Sequence, residues 1–189
     1  MKLYRILSLC ALSLVFFFSI TSCEKSAGEL DYGYEKIYIP QSLLTGSSLN
    51  YQVPAGLDSA SRNYILDKGN NRVNIILGVS RSGTSAPEPF TVDLKSRPDT
   101  VTTILASNAI NNGVMLPESM YTVPAKVEVP SGKTGQTFYL SVDAAMLKAN
   151  YAGKNAVVAF ELTNPTKYSL NQKNNKVVVI IDVNALNIP

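Results

Sequence analysis

The chain has 189 residues, 46% of them hydrophobic, and its 17 basic and 14 acidic residues give a formal net charge of +3. No basic cluster accompanies this small excess, so the composition argues against a nucleic-acid-binding face. Histidine is absent, which excludes the Ser-His-Asp and Cys-His catalytic arrangements and zinc sites built on imidazole.

The N-terminus has the layout of a secretory signal: a basic start, an apolar stretch and small polar residues before a cleavage point. Lys2 and Arg5 provide the basic start, and residues 6–20 form the apolar stretch. A transmembrane helix needs about 20 apolar residues, so this stretch is too short to span a bilayer comfortably. We predict that residues 1–22 are a cleaved signal, whose removal leaves 15 basic and 14 acidic residues.

The residues at the predicted cleavage point, Ile-Thr-Ser-Cys at 20–23, resemble the lipobox of bacterial lipoproteins. The resemblance implies that Cys23 is acylated and begins the mature chain. Several acyl chains on one residue would anchor the protein to a membrane. The alternative is that Cys23 is a signal-peptide cysteine like Cys10, and that the domain is released without lipid. With Cys10 removed and Cys23 acylated, no thiol remains for a disulfide, for catalysis or for a metal site.

The rest of the chain predicts a tether followed by one domain. Residues 23–32 are small and polar, as in a flexible lipidated tether. Residues 33–189 are enough for a single domain with its own core. Apolar and polar residues alternate over 34–39, which predicts a first strand that Pro40 ends as it would an edge strand.

Six further segments alternate in the same way, which makes seven predicted strands. The six cover residues 73–79, 90–94, 121–129, 138–142, 158–162 and 177–183. Turn-forming residues separate them at 69–71, 82–83, 111–113, 131–133 and 164–166. Because each apolar set faces one side, we predict an all-β fold, an immunoglobulin-like antiparallel β-sandwich of about seven strands. A barrel is the alternative.

Two short helices are expected in the crossovers between strands. Asp99 is predicted to cap the first and Asp143 the second, because a carboxylate at this position accepts hydrogen bonds from the first turn. The segment 41–70 is rich in Ser, Gly and Asn, and predicts only a hairpin that joins 50–53 to 64–66.

Several blocks resemble a family of N-terminal domains of unknown function in Bacteroidetes surface lipoproteins that are encoded with polysaccharide-utilisation systems. They are Tyr-Ile-Pro at 38–40, Phe-Thr-Val-Asp at 90–93, Met-Leu-Pro-Glu-Ser-Met-Tyr-Thr at 115–122 and the closing strand at 177–183. The resemblance covers roughly residues 33 to 185. It implies an immunoglobulin-like sandwich, and it transfers no catalytic residue. Family members often continue into a second domain similar to a lectin, a discoidin-like module or a chitinase-like glycosidase.

The sequence offers no constellation for catalysis. Gly-Lys-Thr at 132–134 imitates the end of a phosphate-binding loop, but Val127 stands where that loop needs glycine, so a hairpin turn is predicted. Glycoside hydrolysis needs two carboxylates across a cleft, whereas the strand carboxylates alternate outward and are expected on solvated faces: Asp93, Glu128, Glu161 and Asp182. No calcium-binding run occurs. We therefore expect no enzyme activity, no cofactor and no metal site.

Tyrosines near the first strand are the candidate binding residues. Tyr34 and Tyr38 are predicted to share its outward face with Lys36 between them. An exposed tyrosine can stack on a sugar ring and also hydrogen-bond it, so Tyr34 and Tyr38 are the predicted glycan-binding residues. The alternative is that they cover a sheet edge or pack beneath the 41–70 segment.

Together these features predict a non-enzymatic lipoprotein of the outer membrane that binds glycans or assists polysaccharide capture, with partner lipoproteins or alone. The expected partners are the membrane, through Cys23, and a polysaccharide, with no nucleic acid. The alternative is a structural spacer or an assembly unit that acts through protein contacts, such as strand exchange at an exposed sheet edge. Surface and periplasmic orientations both stay open, because Glu24 is followed by Lys25 and Ser26 instead of an acidic export run.

Overall fold

The computed structural model describes residues 34–43, 49–56 and 61–188. The predicted signal 1–22, the lipid-bearing Cys23 and the tether 23–32 lie outside the described residues. Within the described ranges no helix is both long and apolar enough to cross a membrane.

Two β-sheets and two short helices make up this part of the chain. The helices are α1 (Pro98–Ala106) and α2 (Ala144–Tyr151), and single 3-10 turns occupy Pro40–Leu43 and Glu118–Met120. The strands are β1 (Lys36–Tyr38), β2 (Asn50–Val53), β3 (Tyr64–Asp67), β4 (Arg72–Arg81), β5 (Phe90–Ser96), β6 (Gly113–Met115), β7 (Tyr121–Thr122), β8 (Lys126–Val129), β9 (Gly135–Asp143), β10 (Asn155–Thr163), β11 (Ser169–Leu170) and β12 (Lys176–Asp182).

The first sheet has the order β11-β1-β4-β9-β7, with β3 paired to the start of β4. Its centre is the long antiparallel pair of β4 and β9, in register from Arg72 opposite Asp143 to Ser80 opposite Gly135. The second sheet has the order β2-β12-β10-β5-β8, with β6 paired to the start of β10. Three short strands pair in parallel, β11 with β1, β2 with β12 and β6 with β10, and the other pairs are antiparallel.

The core lies between the sheets, where alternate residues of each strand meet. Ile37, Leu77 and Leu140 from the first sheet and Phe160 and Leu162 from the second are fully buried members of one cluster. Two separate sheets with open edges confirm the predicted sandwich rather than the barrel. Six of the seven predicted strands are present as single strands, the one predicted over 121–129 is divided, and the additional strands are short.

The two central strands of the second sheet are buried on both faces, which the alternation did not predict. Val101 of α1 packs on the outer face of this sheet, against Val157 and Ala159 of β10 and Val178 of β12. Because α1 covers that face, β10 and β12 read as continuous apolar runs, as strands covered on both sides do.

Three local predictions need correction. The strand predicted over 121–129 is two strands, β7 in the first sheet and β8 in the second, since Pro124 interrupts the ladder between them. The 50–53 and 64–66 segments form no hairpin, because β2 pairs with β12 and β3 with β4. The Gly-Lys-Thr turn at 132–134 does turn the chain, but it joins β8 to β9 in the other sheet and closes no hairpin.

The two helix starts differ. Asp143 is the N-cap of α2, as predicted, and accepts a hydrogen bond from the Met146 backbone N–H at 2.8 Å. Asp99 does not cap α1: the N-cap is Arg97, and Asp99 lies in the first turn. Pro98 at the start of the helix explains the shift, since proline favours the first helical position.

Candidate functional site

An open groove of about 600 Å³ contains the most exposed aromatic side chain among the described residues. We call it the Tyr34 groove, and it is lined by Tyr34, Lys36, the Ser82-Gly83 turn and residues 170–173. The Tyr34 side chain is 85% exposed. An exposed tyrosine ring in a groove offers a flat apolar surface and a hydroxyl to a ligand, so the groove is a candidate binding site.

Three elements bring the groove together. Strand β1 pairs in parallel with β11, with Lys36 opposite Ser169, and the Asn171 backbone N–H then donates to the Ile37 carbonyl at 2.8 Å. On the other side of β1, the Ser82 hydroxyl donates to the Tyr34 carbonyl at 2.7 Å. These bonds hold the backbone on both sides of the groove in one arrangement.

The side chains in the groove are polar and positively charged. Lys36 Nζ donates to the Ser169 hydroxyl at 2.7 Å and lies 5.8 Å from the centre of the Tyr34 ring. Asn171, Gln172 and Lys173 form the opposite wall, and the Lys173 backbone N–H donates to Asn171 Oδ1 at 3.1 Å. Among the described residues that line the groove there is no carboxylate, so the charge they contribute comes from two ammonium groups.

A buried arginine, Arg81, forms an ion pair with Glu35, the residue next to Tyr34. The Arg81 side chain is fully buried, and its Nη1 atom lies 2.6 Å from Glu35 Oε1. The same guanidinium donates to the Ser85 carbonyl at 2.6 Å and lies 4.9 Å from the centre of the Tyr168 ring. Because Glu35 is the neighbour of Tyr34, this ion pair fixes the start of β1 against β4.

The structure separates the two predicted glycan-binding tyrosines. Tyr34 lines the groove, together with Lys36, whereas Tyr38 is half-buried and is not among the lining residues. The amide and ammonium groups of residues 171–173 were missed by the sequence analysis. The polar run Asn-Gln-Lys-Asn-Asn at 171–175 was the available signal, but polar runs are common in turns, and only the β1–β11 pairing places this one beside Tyr34.

The strand carboxylates are engaged in separate local contacts. Glu161 contacts Arg97 and lies 3.4 Å from Lys176 Nζ, and its side chain is only 14% exposed, so it is not on a solvated face as predicted. Asp93 lies 3.8 Å from Lys126 Nζ, and Asp182 accepts from the Asn184 N–H at 3.1 Å. Across the described part of the chain no three acidic, histidine or cysteine side chains come together as a metal site would require.

A protein family described as a "-like, N-terminal domain" matches residues 32–169, and the chain belongs to this family of N-terminal domains. The predicted family is thereby confirmed. No curated protein matches the chain.

Solved structures from Bacteroides ovatus share the fold. A candidate carbohydrate-binding protein is 18% identical, with a TM-score of 0.52, over 77% of this chain and 36% of its own. A protein of unknown function is 14% identical, with a TM-score of 0.57, over 77% of this chain and 46% of its own. A third, also of unknown function, is 12% identical with a TM-score of 0.50, over 79% of this chain and 52% of its own. The chain therefore spans about a third to a half of the length of these three structures.

Proposed function

We propose that this chain is a non-enzymatic cell-envelope lipoprotein that binds a glycan in the Tyr34 groove and takes part in polysaccharide capture at the outer membrane. The observation that carries the proposal is the Tyr34 ring, 85% exposed beside Lys36 in a groove whose far wall is Asn171 to Lys173. A sugar presents one apolar face and a rim of hydroxyls. The ring supplies flat apolar area, while hydroxyl, amide and ammonium groups supply hydrogen bonds.

The charge of the groove favours a subclass of glycans. Lys36 and Lys173 are the charged side chains among its described lining residues. An acidic polysaccharide can form ion pairs with these ammonium groups, in which both hydrogen-bonding partners are charged, and a neutral polysaccharide cannot. We therefore expect uronic-acid-containing or sulfated chains to bind more tightly than neutral ones.

The structural relatives agree with this proposal in one respect. One Bacteroides ovatus protein with the same fold is a candidate for carbohydrate binding. The match covers 36% of that protein, so its name describes a longer chain of which the shared fold is only a part.

The proposed anchor places the groove close to the membrane. Cys23 carries the acyl chains after residues 1–22 are removed, and the tether 23–32 joins it to the domain. Since an extended chain spans about 3.5 Å per residue, Tyr34 lies within roughly 40 Å of the lipid. Such a site can hold a polymer near the membrane for partner lipoproteins.

The test is affinity electrophoresis of the purified protein through gels that contain neutral and acidic polysaccharides in turn. We expect retardation by at least one polysaccharide, with acidic chains retarding it more, and weaker retardation of Tyr34→Ala. Absence of retardation across host, plant and microbial polysaccharides would overturn the proposal.

A second candidate function, assembly through a sheet edge, has its own supporting observation. β7 covers only Ser141 and Val142 of β9, and no described strand pairs with the outer side of β9 from Gly135 to Leu140. This edge has neither a charge nor a proline, the usual protections against strand addition. The neighbouring edge strand β8, by contrast, exposes Lys126 and Glu128. A second copy of the chain could add β9 to β9 without charge repulsion.

A further inference from the structure

A second cavity, of about 430 Å³, lies between the β3–β4 turn, helix α2 and the C-terminal segment. We call it the Arg72 cavity. Its apolar wall consists of Leu66, Ala144, Ala145, Ala149 and Ile188. Its rim carries one acidic and three basic side chains, Asp67, Lys68, Arg72 and Lys148. It shares no lining residue with the Tyr34 groove, and its volume is in the range of small-molecule sites.

The one carboxylate among the described residues of the rim, Asp67, is hydrogen-bonded within the β3–β4 turn. Asp67 Oδ1 accepts from the Asn70 backbone N–H at 3.0 Å, and Oδ2 accepts from Asn70 Nδ2 at 2.8 Å. The Asn70 side chain, helped by its backbone, lowers the pKa of Asp67 below its usual value. Both oxygens of Asp67 are therefore hydrogen-bonded to Asn70, and Asp67 forms no ion pair with a basic side chain of the described residues.

Arg72 is held in one orientation but forms no ion pair with a described residue. Its partners in register are Asp67 on β3 and Asp143 on β9. Asp143 is the N-cap of α2 and accepts from the Met146 backbone N–H. No ion pair joins Arg72 to a carboxylate of the described residues.

The other contacts of Arg72 use two of its three nitrogens. Nε donates to the Ser141 hydroxyl at 3.1 Å, and Nη2 donates to the Ser141 carbonyl at 2.8 Å and to the Thr122 hydroxyl at 3.3 Å. Within the described ranges Nη1 has no hydrogen-bond partner. A half-buried guanidinium held in one orientation with a free donor edge is suited to an anion.

The remaining basic residues have different roles. Lys68 is exposed and makes no hydrogen bond or ion pair with another described residue, so its ammonium is available at the rim. Lys148 Nζ donates to the Ile188 carbonyl at 3.3 Å and so holds the C-terminal segment against the apolar wall. The cavity thus combines an apolar wall with two cationic groups on its rim, Arg72 and Lys68, that form no ion pair with a described residue.

We infer that the Arg72 cavity binds a small amphipathic carboxylate, with its apolar body against Leu66, the α2 alanines and Ile188 and its carboxylate on Arg72 and Lys68. Charge complementarity favours an anion, because three basic side chains on the rim, Lys68, Arg72 and Lys148, outnumber the one described carboxylate, Asp67. The α2 alanines favour a ligand with an apolar body, because their small side chains leave an apolar space beside the helix that larger side chains would fill. This site is independent of the proposed glycan groove.

The test is isothermal titration calorimetry of the full chain with octanoate, with octanol as the uncharged match and acetate as the match without an apolar body. We expect octanoate to bind at least about tenfold more tightly than either, a difference of about 1.4 kcal/mol. Equal affinity for octanoate and octanol, or no octanoate binding, would overturn the inference.

Two variants locate the site. Lys68→Gln removes an unpartnered charge, and Ala149→Phe fills the cavity from an exposed helix position. Both should retain the unfolding temperature of the wild type and lose octanoate affinity, while Lys173→Gln in the Tyr34 groove leaves it unchanged. Octanoate affinity that survives Ala149→Phe would show that binding occurs elsewhere and would contradict the assignment.

Discussion

At the scale of residues, the ion pair between Arg81 and Glu35 gives a clear prediction about stability, because its two members differ in burial. The Arg81 side chain is 0% exposed, whereas that of Glu35 is 35% exposed. Removing one member of such a pair leaves the other charge without compensation, and the cost depends on whether water can reach it. The buried nitrogen Nε of Arg81 also has no hydrogen-bond partner in the described part of the chain.

We therefore predict that Glu35→Gln destabilises the protein more than Arg81→Met. Glu35→Gln leaves the buried guanidinium of Arg81 without its counter-charge and should lower the free energy of unfolding by about 2–3 kcal/mol. Arg81→Met replaces the cation by an apolar chain of similar length and leaves Glu35 to water, at a cost of about 1 kcal/mol. Urea unfolding of both variants measures the difference, and a larger loss for Arg81→Met would show that the cation itself stabilises the fold.

A second prediction at this scale concerns pH. Arg97 donates to both oxygens of Asp99, at 2.9 and 2.6 Å. These bonds lower the pKa of Asp99 from 3.8 to about 2. A carboxyl group with a lowered pKa in the folded state stabilises it above the unfolded pKa and loses this effect as the pH falls through the folded one.

The unfolding temperature of the wild type should therefore exceed that of Asp99→Asn at pH 5 and above. The difference should shrink between pH 4 and pH 2, and be small at every pH because the side chain is exposed. Thermal unfolding of the two proteins from pH 6 to pH 2 tests this, and a difference that grows on acidification would have the wrong sign.

At the scale of elements, local pattern predicted the strands well and their partners poorly. The alternation of apolar residues located all the long strands, because each faces the core on at least one side. It could not show that 121–129 divides between two sheets, because Tyr121 and Val127 are buried in either case. Sheet membership depends on hydrogen bonds to distant strands, and local pattern does not encode these.

The same limit applies to the candidate sites. Tyr34 was found because an aromatic residue beside a polar strand is visible in sequence. Asn171 and Lys173 were not, since they reach the groove only through the pairing of β11 with β1. Arg72 was missed because a single arginine at the start of a strand gives no signal, and only the fold brings it beside α2 and Ile188.

The open edge of β9 gives a prediction for assembly. Thr137 is exposed on the unpaired stretch of this strand. If two copies add edge to edge, Thr137→Lys should abolish self-association, because it places like charges at the pairing line, while stability changes by less than about 0.5 kcal/mol. Sedimentation velocity over a range of concentrations measures this, with Thr102→Lys on α1 as control. A monomeric wild type at all concentrations would exclude assembly of this kind.

At the scale of the whole molecule, the proposal joins a membrane anchor to a binding domain. If Cys23 carries the lipid, Cys23→Ser should move the protein from the membrane fraction of cells to the soluble fraction, because the acyl chains provide the attachment. Fractionation with antibody detection measures this, and protease treatment of intact cells distinguishes surface from periplasmic display. A Cys23→Ser protein that stays in the membrane fraction would show that lipid on Cys23 is not the anchor.

The central claim is that the exposed ring of Tyr34 contacts the glycan, and a pair of matched substitutions tests it. Tyr34 is 85% exposed in the groove, whereas Tyr139, on β9, is 45% exposed and outside it. The measurement is the affinity of the wild type, Tyr34→Ala and Tyr139→Ala for a polysaccharide that retards the wild type. We predict a loss of about tenfold or more for Tyr34→Ala, about 1.4 kcal/mol of stacking and contact, and no change for Tyr139→Ala. An unchanged affinity of Tyr34→Ala, or an equal loss in both variants, would contradict the account.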